Sequence, residues 1–243
     1  MRSELHQQSK RMVNAIEGFR IWSQTYDNDP NPLLALESRF LRPRMEDLRG
    51  KVFLDVACGT GRWLAEATRL GARVLGVDFC PEMLNQAQRK MGLQSCLVLA
   101  DSRQLPFPNG CADIVVCAFS LGYVDQLDTV MKEVARVVKP GGTIYASDFH
   151  PEAHRRGWTR SLRNGEQILE IRHHQYSIED LMRSAQGVGL KSQELLELTI
   201  GEPERSIFRN AGKESLFNEA CKVPAVLFAH WKSPKPLQDR EWR

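Results

Sequence analysis

The sequence has little of what marks a membrane, secreted or nucleic-acid-binding protein. It contains no apolar run that approaches the roughly 18 residues of a membrane span. Its first residues, MRSELHQQSKRMVN, lack the apolar core of a secretory signal. The 33 basic and 30 acidic residues give a formal charge of +3, which is too even a balance for a phosphate-backbone binder. We therefore expect a cytoplasmic protein with no membrane or nucleic-acid partner.

Closely spaced cysteine pairs are absent as well. The six cysteines stand at positions 58, 80, 96, 111, 117 and 221, without a C-x-x-C pair. This spacing favours neither a structural zinc site nor a disulfide scaffold. We expect reduced thiols and no bound metal.

What is present is the composition of an ordinary globular chain, with 42% hydrophobic and 26% charged residues. A length of 243 residues allows one substantial core, and we expect a single domain over 1–243. Between 51 and 149, apolar runs alternate with helical patterns, which predicts a mostly parallel sheet covered by helices on both faces. The predicted strands of this region are 51–57, 72–78, 95–100, 112–119 and 142–149.

The pattern changes after residue 150. A basic, polar stretch precedes a predicted strand at 167–174, and Ser177 with Asp180 resembles a capping signature at the start of a helix. Further strands are predicted at 190–200 and 223–231. The expected fold is α/β, a doubly wound, seven-stranded, mostly parallel sheet with an added segment after its fifth strand. Residues 1–50 are predicted to form a helical lid that ends near Gly50.

The most informative segment is VFLDVACGTG at 52–61, a buried strand that runs into a glycine-rich turn. Gly59 and Gly61 allow a tight turn and a close approach of the backbone to a ligand. A dinucleotide fingerprint would have a third glycine at 64, where this chain has leucine. The turn therefore suits an adenosine without a pyrophosphate, and Asp55 can accept a hydrogen bond from the ammonium group of an amino-acid tail. S-adenosylmethionine has both parts, although such a turn also occurs without a ligand.

Four further motifs accompany D-V-A-C-G-T-G at 55–61. They are G-V-D at 76–78, A-D-S at 100–102, L-P-F at 105–107 and K-P-G-G at 139–142. With these motifs the chain resembles the type 11 group of class I methyltransferases over about residues 20 to 150. The resemblance implies a Rossmann-like fold and S-adenosylmethionine as cofactor. We expect the chain to divide into a helical lid (1–50), a cofactor-binding half (51–149) and a substrate-side segment with the last strands (150–243).

The resemblance also implies roles for the residues that end the strands. It places Asp78 on the ribose hydroxyls, with Phe79 beside the adenine. It places Asp101 on the adenine amino group, with the backbone N–H of Ser102 on the ring. A charged acceptor that faces hydroxyl and amino groups is reasonable chemistry.

Other expected cofactor contacts are less specific. Tyr26 is the best match for an aromatic residue against the methionine carboxylate, and Phe119 leaves the fourth strand near the position of the reactive methyl group. Met83 is either an adenine wall or core filler. Ala57 stands where the family commonly has glycine, and its small side chain leaves cofactor binding intact.

Methyl transfer is a direct displacement at a carbon bonded to a sulfonium, so the protein mainly has to align and dry the reactants. Whether a neutral oxygen or nitrogen acceptor also needs a base stays open. His150 is the leading candidate, because DFHP places it just after the fifth strand, at the edge where ligands sit. The alternative is a histidine that caps a strand end.

The sequence thus predicts an S-adenosylmethionine-dependent methyltransferase for a small molecule with an oxygen, nitrogen or sulfur nucleophile. A non-catalytic S-adenosylmethionine-binding regulatory protein and an NAD-dependent oxidoreductase are the alternatives. A nucleic-acid methyltransferase is disfavoured because the fourth strand ends in CAFS rather than N/D-P-P-Y/F. The acceptor and the oligomeric state stay open.

Overall fold

The computed structural model describes residues 10–90, 92–94 and 96–235. Its strands are β1 (Lys10–Val13), β2 (Val52–Val56), β3 (Arg73–Asp78), β4 (Leu97–Leu99), β5 (Ala112–Ala118), β6 (Val138–Phe149), β7 (Ser161–Asn164), β8 (Gln167–Ile171), β9 (Lys191–Thr199) and β10 (Pro224–Lys232). Its α-helices are α1 (Ala15–Trp22), α2 (Pro32–Leu41), α3 (Arg62–Arg69), α4 (Pro81–Gln88), α5 (Leu127–Val137), α6 (Pro151–Arg155), α7 (Ile178–Gly187), α8 (Arg205–Asn210) and α9 (Phe217–Ala220). Short 3-10 helices lie at Arg42–Arg44, Leu121–Tyr123, Glu202–Glu204 and Glu214–Leu216.

The central sheet has seven strands in the order β4-β3-β2-β5-β6-β10-β9. The pairs from β4 to β6 are parallel, whereas β10 runs antiparallel to both of its neighbours. The α/β, Rossmann-like, mostly parallel fold is therefore confirmed. Strand β6 starts at Val138, earlier than the expected 142, and so includes the K-P-G-G stretch.

The inner strands β2, β5 and β10 are buried on both faces because most of their residues are apolar. In β2, Phe53 belongs to one core cluster and its neighbour Leu54 to another, as the alternation of a strand requires. Both side chains are fully buried. Asp55 follows on the same face as Phe53 and is carried into the protein at the carboxyl end of the strand.

A second, three-stranded sheet is formed by β1, β8 and β7, and we call it the accessory sheet. Strands β7 and β8 form a hairpin, and β1 pairs parallel with β8, Val13 lying opposite Ile171. The sequence predicted β8, though longer, but neither β1 nor β7. Strand β1 has four residues with one buried side chain, so it has no detectable periodicity, and its pairing with β8 holds it.

The N-terminal region contains helices, as expected, but α2 ends at Leu41 and a 3-10 helix follows, so no α-helix reaches Gly50. The capping box of Ser177 and Asp180 is present at the start of α7. All six cysteines are free thiols. Within the described part of the chain, no helix has the length and apolarity to cross a membrane.

Candidate active site

A cavity of about 490 Å³ opens at the carboxyl ends of β2, β3 and β5. One part of its wall, which we call the strand-end half, is formed by Asp55, Gly59, Asp78, Phe79, Asp101 and Ser102. The other part, the accessory half, is formed by Asn14, Phe19, Tyr123, Val124, Arg172 and His174. Phe119 and Ser120, which leave β5, also line the cavity. The strand ends and the accessory sheet thus enclose one space.

The glycine-rich turn forms the floor of the strand-end half. Its backbone is left-handed at Ala57 (φ 59°), Gly59 (φ 54°) and Gly61 (φ 74°). A side chain on Gly59 would only touch Met83, so glycine is needed here for its left-handed backbone and not for lack of space. Ala57 and Gly59 both line the cavity. Ala57 holds a conformation that is costly for any residue with a Cβ.

Gly61 was predicted to approach the ligand, and the structure places it elsewhere. It does not line the cavity. A Cβ on it would lie 2.8 Å from Leu93 Cδ1 and 3.2 Å from Ala87 Cβ. The glycine is therefore needed for its left-handed backbone and for packing beside α4.

Leu64 stands where a dinucleotide fingerprint has glycine, and its side chain is fully buried. It packs over Gly76 of β3, where a Cβ would overlap the leucine side chain. The close packing of α3 against the sheet is thus made possible by a glycine in β3 rather than by one in the helix. This arrangement differs from the pyrophosphate-binding one and weighs against the nicotinamide alternative.

Asp55 has the least satisfied carboxylate of the strand-end half. It is 2% exposed, and its Oδ1 is buried without a hydrogen-bond partner in the described part of the chain. Burial raises its pKa well above the usual range, the nearby Arg62 opposes this, and Glu37 and Asp78 reinforce it. A buried, unpartnered acceptor in a cavity wall needs a donor, and a ligand ammonium group is a suitable one.

Asp78 supports the turn as well as lining the cavity. Its Oδ2 accepts the backbone N–H of Gly59 at 2.7 Å, and its Oδ1 accepts that of Cys80 at 2.8 Å. Burial raises the pKa of Asp78 to about 6, and these N–H donors oppose the shift. Each carboxylate oxygen keeps a second lone pair, which suits the acceptance of hydroxyl hydrogens.

Asp101 lies nearer to solvent and is paired with Arg103, whose Nη2 is 2.6 Å from Oδ2. This pairing lowers the pKa of Asp101. Arg103 also contacts Asp125 at 3.1 Å, and all three line the cavity. The sequence did not single out Arg103, although its position directly after A-D-S was a usable signal.

A buried ion pair joins the lid to the glycine-rich turn, and sequence reasoning missed it. Glu37 of α2 is fully buried and accepts from Arg62 Nη2 at 2.8 Å and from Trp63 Nε1 at 3.0 Å. Burial raises the pKa of Glu37, and the Arg62 charge opposes this. Arg62 lines the cavity beside Tyr26. Glu37 lies in an ordinary helical pattern, so nothing in the sequence distinguished it from a surface glutamate.

The remaining predicted cofactor contacts all lie in the cavity wall, namely Tyr26, Phe79, Met83, Ser102 and Phe119. Met83 is also buried in a core cluster with Trp22, so it fills the core and borders the cavity at once. Phe19 of α1 packs edge-on against both Phe79 and Tyr123, with centroid distances of 6.4 and 4.8 Å. Phe19 therefore stands between the two halves.

His150 was predicted as a base at the reactive edge, and the structure gives it a different position. It does not line the cavity and is 3% exposed. Its Nδ1 accepts the backbone N–H of Glu152 at 3.0 Å, which caps α6. The ring proton therefore lies on Nε2, 2.9 Å from Glu197 Oε2. With both nitrogens engaged, His150 has no free lone pair for a substrate proton, so the structure does not bring it to the cavity as the predicted base.

Comparisons with known proteins bear on this site. Residues 54–146 match the family model described as "Methyltransferase domain". The demethylmenaquinone methyltransferase of Geobacillus stearothermophilus is 42% identical over 106 residues, which are 41% of this chain and 45% of that protein. The sterol 4-C-methyltransferase strm-1 of Caenorhabditis elegans is 37% identical over 101 residues, or 40% of this chain and 30% of that protein. This chain thus spans less than half the length of these relatives.

Solved structures share the fold over more of the chain. An S-adenosylmethionine-dependent methyltransferase from Mesorhizobium loti superposes with a TM-score of 0.65 at 20% identity, covering 83% of this chain and 100% of that one. One from Aquifex aeolicus has a TM-score of 0.59 at 17% identity, covering 87% and 97%. Because the fold, the motifs at the strand ends and the family model agree, residues 54–146 of this chain form a class I methyltransferase domain of the type 11 group.

Proposed function

We propose that this chain is an S-adenosylmethionine-dependent methyltransferase acting on a small-molecule acceptor. The observation that carries the proposal is the buried Oδ1 of Asp55, which has no partner in the described structure and lies in the wall of the cavity. Leaving such an acceptor unsatisfied costs about 1–3 kcal/mol, more for a charged group, so a cation that completes it is favoured. The ammonium group of the cofactor is such a cation.

The residues present fit the cofactor along its length. Asp55 would hold the ammonium group, Asp78 the ribose hydroxyls, and Phe79 with Met83 the adenine ring, while Asp101 and Ser102 would meet its edge. Tyr26 would border the carboxylate end, together with Arg62. When bound, S-adenosylmethionine supplies an activated methyl group for direct displacement by a nucleophile. The protein's part is to orient both reactants and to exclude water.

The accessory half is where the acceptor would bind, since the strand-end half is taken by cofactor contacts. The named relatives include demethylmenaquinone and sterol 4-C-methyltransferases, which supports a small organic acceptor and adds carbon to oxygen, nitrogen and sulfur as the accepting atom. We propose no role as general base for His150, because it lies outside the cavity. The chain would act as one domain, with 1–50 as lid, 51–149 as cofactor-binding half and 150–243 completing the acceptor side.

Binding of S-adenosylhomocysteine, measured by calorimetry, tests the role of Asp55. Asp55→Asn keeps the shape but loses the charge, so affinity should fall by about 10- to 150-fold, the equivalent of roughly 1.5–3 kcal/mol. The matched control is Asp113→Asn in the same sheet. Asp113 lies near the amino end of β5, paired with Lys139 and away from the cavity, so its variant should bind normally. Equal affinity of the Asp55 variant and the unaltered protein would refute the assignment.

Catalysis needs a separate test, because cofactor binding alone also fits a regulatory protein. The protein is incubated with methyl-labelled S-adenosylmethionine and a metabolite extract, and the small-molecule fraction is analysed. We expect label in a discrete product, and much less with Asp55→Asn. Tight S-adenosylhomocysteine binding without any label transfer would instead favour a non-catalytic role.

A further inference from the structure

Two arginines lie at the base of the hairpin that β7 and β8 form. Arg160 precedes β7 and Arg172 follows β8, and the N–H of Ile171 donates to the Arg160 carbonyl at 2.8 Å, which holds the two ends together. Arg172 lines the accessory half and makes no ion pair with a described residue. Arg160 lies behind the same wall. The hairpin thus brings two guanidinium groups to this side of the cavity.

Arg160 is buried, with 7% exposure, against two aromatic rings of the cavity wall. Its Cζ lies 4.8 Å from the ring centroid of Phe119 and 5.3 Å from that of Tyr123. Its Nη1 is buried and has no hydrogen-bond partner in the described part of the protein. A buried guanidinium with an unmade hydrogen bond is costly unless something else balances its charge.

The balance available within the protein is weak. The one ion pair of Arg160 in the described structure is with Asp148, at 4.0 Å from Nη1 to Oδ1. The two oxygens of Asp148 already accept the backbone N–H groups of Gly122 and Phe149, each at 2.7 Å. Asp148 thus balances the charge of Arg160 from 4.0 Å, but it leaves the buried Nη1 without a hydrogen bond.

One carboxylate, that of Asp125, lines the cavity at the border of the accessory half. Asp125 is paired with Arg103. The Tyr123 hydroxyl is buried beside the Arg160 guanidinium, without a hydrogen bond of regular geometry in the described structure. Burial raises its pKa and Arg160 opposes the rise, so the hydroxyl stays protonated and able to donate. The other walls, Phe19 and Val124, are apolar. This half thus offers donors and positive charge around an apolar surface.

We propose that the accessory half takes an acceptor with an aromatic or apolar body and an anionic oxygen group, such as a carboxylate or phosphate. Arg172 and the Tyr123 hydroxyl bind the anionic group, and the buried Arg160 guanidinium beside that hydroxyl orients its proton toward the cavity. This inference rests on the proposed function, because the bound molecule is a methyl acceptor only if the protein is a methyltransferase. The anion site is a property of the cavity and is testable without turnover.

The test uses 2-naphthoate and 2-naphthamide, two probes of similar shape that differ in charge. Calorimetric titrations are run on the full chain, with and without saturating S-adenosylhomocysteine. We expect 2-naphthoate to bind about tenfold or more tightly than the amide, as loss of a charge-assisted hydrogen bond implies. Arg172→Met, which keeps the apolar stem, should remove that preference, and Tyr123→Phe should reduce it in part. Affinity for S-adenosylhomocysteine should stay unchanged in both variants.

Arg163→Met is the matched control, because Arg163 is exposed on β7 of the same hairpin and does not line the cavity. It should bind 2-naphthoate like the unaltered protein. Equal binding of the two probes, no binding of either, or an Arg172→Met variant that retains the preference would each overturn the inference. If S-adenosylhomocysteine fails to bind, the proposed function is refuted. The titration of 2-naphthoate in the absence of S-adenosylhomocysteine still tests the anion site.

Discussion

The strand-end half of the cavity comes from one continuous stretch of chain, whereas the accessory half is assembled from segments far apart in sequence. Asp55, Asp78 and Asp101 end or follow consecutive buried strands. Phe19, Tyr123 and Arg172 come from the lid, from the turn after β5 and from the accessory sheet. In the strand-end half, the same local pattern, an acidic residue at a strand end, occurs three times. The accessory half depends instead on how segments that are distant in sequence pack together.

The two halves also differ in how their polar groups are held. In the strand-end half, Asp78 is fixed by two backbone N–H groups, and the Glu37–Arg62 pair ties the turn to the lid. In the accessory half, the Arg172 guanidinium is exposed at the cavity wall, and the Tyr123 hydroxyl has only Arg160 beside it. The polar groups of the strand-end half are thus held by several hydrogen bonds, whereas those of the accessory half have few.

This contrast predicts that stability depends on the strand-end half. Glu37→Gln removes the counter-charge of Arg62, and we expect the free energy of unfolding in urea to fall by about 3 kcal/mol. That is the lower end of the range for breaking a buried pair, since Arg62 retains some contact with water. Arg172→Met in the accessory half should change it by no more than about 0.5 kcal/mol. Similar losses for both variants would remove the contrast.

The pH dependence of cofactor binding sharpens the comparison, because the buried carboxylates of the cavity wall, Asp55 and Asp78, both lie in the strand-end half. The pKa of Asp78 is raised to about 6, so below that pH the free protein carries a neutral acid there. Ribose hydroxyls bind the carboxylate better, so affinity for S-adenosylhomocysteine should rise by about tenfold from pH 5 to pH 7 and then level off. Asp55, whose pKa is also raised, acts in the same direction.

Calorimetry at pH 5, 6, 7 and 8 measures this effect. The Asp78→Asn variant has no proton to lose at that position, so it should lack the part of the rise centred near pH 6. An affinity that is flat over the range, or that falls with rising pH, would contradict the assigned roles of these carboxylates.

The smallest expected effect concerns backbone strain in the strand-end half. Ala57 has a φ of 59°, which costs a residue with a Cβ about 1–2 kcal/mol. Ala57→Gly should stabilise the protein by about 0.5–1 kcal/mol, after the larger entropy of glycine in the unfolded chain is allowed for. Ala65→Gly, in the right-handed helix α3, should destabilise it by about the same amount. A melting temperature that shifts in the same direction for both variants would show that Ala57 is not strained.

What the sequence predicted follows the same division. The glycine-rich turn and the strand ends at Asp55, Asp78 and Asp101 are local patterns on buried strands, so both the fold and the strand-end half could be read from them. Gly61 was misjudged because sequence shows that a glycine is needed and not whether a ligand or a neighbouring helix requires it. Its neighbour is Leu93, beyond α4.

The accessory half could not be predicted for a physical reason. Strand β1 exists because it pairs with β8, and a four-residue segment has no periodicity of its own. His150 was placed correctly after the fifth strand, but its ring is fixed by Glu197 of β9, whose position beyond β10 sequence does not reveal. Arg172 likewise lines the cavity because the hairpin of β7 and β8 ends beside it, and the sequence does not reveal where that hairpin packs.

The most direct test of the account is a crystal structure of the protein with S-adenosylhomocysteine. We expect the amino group of the ligand within hydrogen-bond distance of Asp55 Oδ1 and the ribose hydroxyls against Asp78, with the space beside Arg172 left open. A ligand bound elsewhere, or an Asp55 Oδ1 that a group of the protein itself satisfies, would contradict it.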